Sequence, residues 1–266
     1  MYRQKKYIMG NFLEVEIFPM SERSKPYSRA KREKESSPAQ KKLNSKKSQR
    51  HFNRLAHINF TENDLFVDLT FNPENLPKDR SGAIRAIKNY IARVKRYRKK
   101  HGLSPIKYIY TVSSHDTYGE KKRLHVHMIM SGMDRDAAEK LWGLGYCDTD
   151  RLQFNECGVT GKVLYMARQE KGERTWASSK NLKKPEPIVS DKAITRAKAE
   201  KMERNPEDRE FFEKMFKGWT FTDCIVEHMD EEGLKLGTSF LIRMRKSEII
   251  NKKKRKKQNR YSKPLV

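Results

Sequence analysis

A chain of 266 residues with 36% hydrophobic and 35% charged content can build a core domain but leaves long stretches that cannot be packed. Its formal net charge of +25 points to a polyanionic partner, nucleic acid before an anionic membrane, and argues against an acidic surface or tail. No apolar run reaches membrane-spanning length, no secretory signal opens the chain, and the three cysteines form no CxxC pair, so reduced thiols in the cytoplasm, with no membrane partner, are expected.

Residues 6–18 read as a hairpin turning at Gly10-Asn11. Residues 21–53 are rich in Ser, Lys and Arg, with Pro26 and Pro38, and are predicted to be a basic linker, either solubilising or weakly phosphate-binding. Leu65–Phe71 is the first core strand, with Val67, Leu69 and Phe71 on one face and Phe66, Asp68 and Thr70 on the other. Asn72-Pro73 ends it.

The spacing of Ile84, Ile87, Ile91 and Val94 predicts a helix from Gly82 to Lys100, capped by Ser81 and stopped by Gly102. Its other face carries Arg85, Lys88, Arg93, Arg96 and Lys99, as a solvated face or a phosphate contact. Residues 106–114 and 123–130 read as an antiparallel pair joined by a loop over 115–122. In the second strand Leu124, Val126 and Met128 alternate with His125 and His127, so both imidazoles point to one side. Counting across the loop sets residue 112 opposite 125 and places Ser114 on the histidine face.

Asp134 caps a short helix bearing Ala137, Ala138, Leu141 and Trp142, and a brief strand is expected at 151–154. A helix over 160–170 has an apolar arc of Val159, Val163, Leu164, Met166 and Ala167. Tyr165 lies off that arc with Arg168 one turn on, either as a surface residue or a functional one. Trp176 stands in a basic segment with Lys180, Lys183 and Lys184, which suits either base stacking with phosphate contact or a loop with a docked ring. A helical segment and a hairpin over 191–250 and a basic tail over 251–266 complete the chain.

Phe66-Val-Asp-Leu-Thr-Phe71, Leu124-His-Val-His-Met-Ile129 and Tyr165-Met-Ala-Arg168 occur in that order. Asn59-Phe60, Asp150-Arg-Leu-Gln153 and Trp176 to Pro185 flank them. The set resembles the HUH endonucleases, and within them the rolling-circle replication initiators of phages, plasmids and related mobile elements. The resemblance covers roughly residues 54–190. It implies an α+β fold with a central antiparallel sheet, helices on both faces and basic flexible termini. It also implies nicking and rejoining of single-stranded origin DNA through a 5′-phosphotyrosine, in a bacterial host, with a host helicase and polymerase as partners.

By the same resemblance Tyr165 is the nucleophile, Arg168 a cation beside it, and His125 and His127 hold Mg²⁺ or Mn²⁺. Thr70, Trp176, Lys180, Lys183 and Lys184 would meet DNA. The chain departs from the family pattern at Asp68, where threonine is usual, at Arg168, where lysine is usual, and in lacking the usual glutamate before the histidines. The third metal ligand is therefore open among Asp68, Ser114, Asp116 and Glu120. A mobilisation relaxase, a single-tyrosine transposase and a non-catalytic nucleic-acid-binding protein are the competing expectations.

Overall fold

The computed structural model describes residues 1–20, 38–115, 121–167, 176–231 and 234–247. In chain order the elements are β1 (Tyr2–Met9), β2 (Phe12–Pro19), α1 (Pro38–Asn59), β3 (Leu65–Thr70), α2 (Arg80–Lys100), β4 (Tyr108–His115), β5 (Lys121–Met130), α3 (Arg135–Lys140), β6 (Cys147–Arg151), α4 (Thr160–Ala167), β7 (Ala177–Ser178), β8 (Ile188–Ser190), α5 (Arg196–Arg204), α6 (Arg209–Met215), β9 (Trp219–Glu231) and β10 (Leu234–Lys246). The class is α+β, with two antiparallel five-stranded sheets in place of the single central sheet expected. The chain divides into two compact units, Met1–Ala39 with Pro185–Val266, and Gln40–Lys184.

The first unit is built from both ends of the chain, in the order β8-β1-β2-β10-β9. Alternation in β2 puts Leu13, Val15 and Ile17 on one face, and β10 brings Met244, Ile242 and Phe240 opposite them. This stripe packs with Ala199 and Met202 of α5 and Phe212 of α6, where Phe212 stacks on Phe221 at 4.8 Å. The early hairpin and the last one are thus neighbouring strands of one sheet.

The second unit has strand order β6-β3-β5-β4-β7 and a core on each face. Leu65, Val67 and Leu69 of β3 and Val126, Met128 and Met130 of β5 meet the Ile87, Tyr90, Ile91 and Val94 stripe of α2, with Trp142 beside α3. The helix over 82–100 begins at Arg80, and its cap is Asp79, not Ser81. The Asp79 carboxylate accepts the Gly82 N–H at 2.8 Å, and Ser81 donates to that same oxygen. Asp134 caps α3 as its sequence implies, accepting from the Ala137 N–H at 2.8 Å.

The opposite face holds Phe66, Ile109 and Ile129, covered by Phe52, Leu55 and Ala56 of α1 and Val163, Met166 and Ala167 of α4. Here the linker over 21–53 is corrected: from Pro38 onward it is helix. Its first turns are exposed and basic, which disguises them as a linker, while its second half buries Phe52 completely. Proline suits the first helical turn, where no backbone N–H is needed. Residues 21–37 and the basic tail over 251–266 lie outside the described residues.

The brief strand expected at 151–154 lies earlier, as β6, and pairs with β3 so that Asp148 faces Asp68. The loop before β6 caps the end of β3, with Thr70 N–H donating to the Tyr146 carbonyl and Asn72 N–H to that of Leu144. Only glycine fits between these contacts, because a Cβ on Gly145 would stand 2.5 Å from the Thr70 carbonyl oxygen. Among the described residues no helix is long and apolar enough to cross a membrane.

Candidate functional site

The face of the second sheet that carries Phe66, Ile109 and Ile129 changes character along its strands. Toward one end it is apolar and covered by α1 and α4. Toward the other, β3, β5 and β4 present polar residues in two cross-strand rows, Asp68–His127–Thr111 and Thr70–His125–Ser113. Residues directly opposite one another in a sheet point to the same side, so the register alone gathers these six. Asp148 of β6 extends the first row by one strand.

His127 is 7% exposed and His125 is half-buried. Their ring centroids are 4.9 Å apart, with the rings nearly perpendicular. Nδ1 of His127 is hydrogen-bonded to the Asp68 carboxylate, and Nδ1 of His125 lies 2.9 Å from the Arg123 carbonyl oxygen. Both acceptors require a proton on Nδ1, which places the ligating lone pair of each ring on Nε2. A carboxylate behind a histidine in this way fixes the ring's tautomer and orientation, a common arrangement behind metal-binding imidazoles. Asp68 was one of the candidates for the third metal ligand. Its observed contact is with His127.

Tyr165 sits on α4 with its ring centroid 5.0 Å from that of His127, edge to face. The apolar side of α4 buries Val163, Met166 and Ala167, which turns the tyrosine outward, 39% exposed. Leu164, counted in the apolar arc, is itself exposed at 37%. Three residues before the tyrosine, on the same side of α4, Lys162 lays its ammonium 4.0 Å from the centroid of the Phe66 ring. Phe66 in turn stacks beside His127 at 6.0 Å. Lys162 is a cation next to the tyrosine that the sequence did not single out. Arg168, assigned that position by resemblance, lies outside the described residues, as do Asp116 and Glu120.

Ser114 is displaced from the histidine face. The pairing sets Ser113 opposite His125 and Val112 opposite Val126, one residue away from the count made across the loop, because the ladder shifts register between Ser113 and His115. Ser113 and Thr111 therefore share the histidine side. The Thr111 hydroxyl is buried with no hydrogen-bond partner among the described residues, across the strand pair from His127. Thr111 could have been found only with the register in hand, since nothing in its sequence neighbourhood marks it.

Thr70 lies beside His125, and its hydroxyl donates to the Tyr146 carbonyl at 3.2 Å. Trp176 immediately precedes Ala177, which pairs with Tyr110 of β4. The Trp176 ring stacks on Phe52 of α1 at 5.3 Å and its Nε1–H donates to Ser48, so the ring belongs to the core under α1. That placement matches a docked ring, and Trp176 keeps part of its surface exposed. The chain then runs along the edge of β4 past Tyr108 and Ile106, where Ser179 and Asn181 bond the backbone. Ile106 is about 16 Å along the strand direction from Thr111. Exposed Lys180, Lys183 and Lys184 accordingly follow the far end of the sheet, and Asn59 clamps both backbone groups of Lys183 at 2.8 Å.

Whether a divalent metal fits can be judged from the donors. Two imidazoles offering Nε2 suit Mn²⁺ better than Mg²⁺, which prefers oxygen ligands. Among the described residues no group of three or more His, Cys, Asp or Glu side chains is gathered as a metal centre. His125 and His127 would supply the protein's imidazole ligands. The sequence matches no family model, no curated protein and no solved structure at a significant level.

Proposed function

We propose that the second unit nicks and rejoins single-stranded DNA, as the initiator of rolling-circle replication. The observation that carries this is the packing of Tyr165 against His127 with His125 and Asp68 in the same cluster. Two oriented imidazoles and a phenol at an exposed edge form a suitable set for phosphodiester transfer. The Tyr165 hydroxyl loses its proton and its oxygen forms a bond to phosphorus. The bond from phosphorus to the 3′-oxygen breaks, and that oxygen leaves as a hydroxyl. Reversal of the same exchange rejoins the strand.

A divalent metal, Mg²⁺ or Mn²⁺, would supply charge stabilisation at the phosphate when held by His125 and His127. Asp68 keeps His127 aimed, and Lys162 offers its ammonium to a phosphate oxygen on the tyrosine side of α4. A phenol is a weak nucleophile at neutral pH. Host helicase and polymerase, with single-stranded origin DNA, complete the proposed partner set.

The test is covalent capture. The full chain is incubated with a randomised single-stranded oligonucleotide pool and Mn²⁺, then run on a denaturing gel. The expected result is a metal-dependent adduct at higher mass that Tyr165→Phe abolishes with its thermal transition unchanged. An adduct that survives Tyr165→Phe, or none from the parent with either metal, overturns the proposal.

A further inference from the structure

Helix α2 carries five arginines and four lysines and no acidic residue. With residues set about 100° apart, Arg85, Lys88, Lys95, Arg96, Lys99 and Lys100 fall within one arc of about 140°. The arc is opposite buried Ile87, Tyr90 and Val94. All six side chains are exposed, and among the described residues none forms an ion pair. Holding like charges in a row costs free energy that no acid of the helix offsets. Such a row is maintained most simply for an anionic partner.

The form of the arc selects among anions. Its exposed uncharged members are Ser81, Asn89 and Ala92. Tyr90 is buried and Tyr97 is stacked on His101 at 4.1 Å, so no aromatic ring is offered to unstacked bases. Nor does the arc offer a large apolar side chain to enter a lipid interface. What remains is a rod of cations about 22 Å long from Arg85 to Lys100, which matches the outside of a duplex over about six to seven base pairs. Moreover, α2 packs on the side of the sheet bearing Leu65, Val67 and Leu69, while Asp68 and the histidines face the other side.

We propose that the exposed arc of α2 is a docking surface for the phosphate backbone of double-stranded nucleic acid, on the far side of the second unit from the histidine and tyrosine cluster. It does not depend on strand cleavage at Tyr165. Binding of the full chain to a fluorescent blunt duplex of about 20 base pairs is followed by anisotropy across a salt series. The parent is compared with K88E/K95E/K99E and with K192E/R204E/K217E, which makes the same charge change on the other unit. A milder K88Q/K95Q/K99Q set serves if the first fails to fold by circular dichroism.

The α2 reversal should weaken duplex binding at least about ten-fold and flatten the slope of log K against log salt by about 2–3, at about 0.9 per phosphate contact. The control set should stay within about two-fold. Equal losses from the α2 and control sets would assign the effect to net charge and overturn the proposal. So would unchanged duplex binding, or a loss seen on phosphatidylserine vesicles and not on duplex.

Discussion

Replacing Asp68 separates a metal ligand from a residue that acts through His127. In the structure its carboxylate is hydrogen-bonded to Nδ1 of His127 and stands directly across the strand pair from it. Asp68→Ala leaves the ring free to rotate and to exchange tautomers, with Nε2 no longer fixed as the ligating nitrogen. Loss of such a partner typically weakens metal binding ten- to a hundred-fold, which is about 1.4–2.7 kcal/mol. Asp68→Asn keeps an oxygen that accepts from Nδ1–H and removes the charge, so it should recover most of that loss. His127→Ala removes a donor outright and should cost more than either. The assay is Mn²⁺ titration by calorimetry on the parent and the three variants. If Asp68→Ala binds Mn²⁺ as tightly as the parent, the positioning role is refuted. If Asp68→Asn is as weak as His127→Ala, Asp68 is itself a ligand or an essential charge.

At nearly constant volume Thr111→Val removes a buried hydroxyl with no partner among the described residues, and should raise stability by about 1 kcal/mol, read as a higher denaturation midpoint; a lower one would mean that the hydroxyl is bonded in solution. His51 is held below its usual pKa by burial first and by Arg54 and Lys184 second. The unfolded chain therefore binds the proton more readily, so this contribution is complete above about pH 6.5 and is lost as pH falls toward the folded value. A Tm series from pH 8 to 5 should be flatter for His51→Gln than for the parent, and an unchanged slope would remove His51 from the account. Burial pushes the thiols of Cys147 and Cys224 up to about 12, so under native conditions at pH 8 iodoacetamide should label Cys157 ahead of both, as read by peptide mass spectrometry.

Several elements were legible without tertiary information because their signals are local. Alternation in Leu65–Phe71 and Leu124–Met130 put Asp68, His125 and His127 on polar-facing positions, and β3 and β5 pair so that Asp68 meets His127. The isoleucine and valine spacing of α2 sufficed for its buried stripe, and the off-arc position of Tyr165 matched its outward turn on α4. Asp79, two residues before Ser81, won the cap of α2 because its carboxylate reaches the Gly82 N–H.

Other features depend on partners distant in the chain. Phe52, Leu55 and Ala56 make a helix of a basic stretch only because Phe66, Ile109 and Ile129 leave an apolar half-face for them to cover. Trp176 is drawn to that same core by Phe52 and Ser48. The first hairpin finds its place beside β10 through Val15 opposite Ile242, a pairing that local alternation permits but does not select. The neighbours of the histidines turned on one register shift near His115, which exchanged Ser114 for Ser113 and brought Thr111 to His127. Local periodicity determines which side of a strand a residue takes. Which residue stands across from it is decided by long-range pairing, because a slip of one position sends every side chain to the other face.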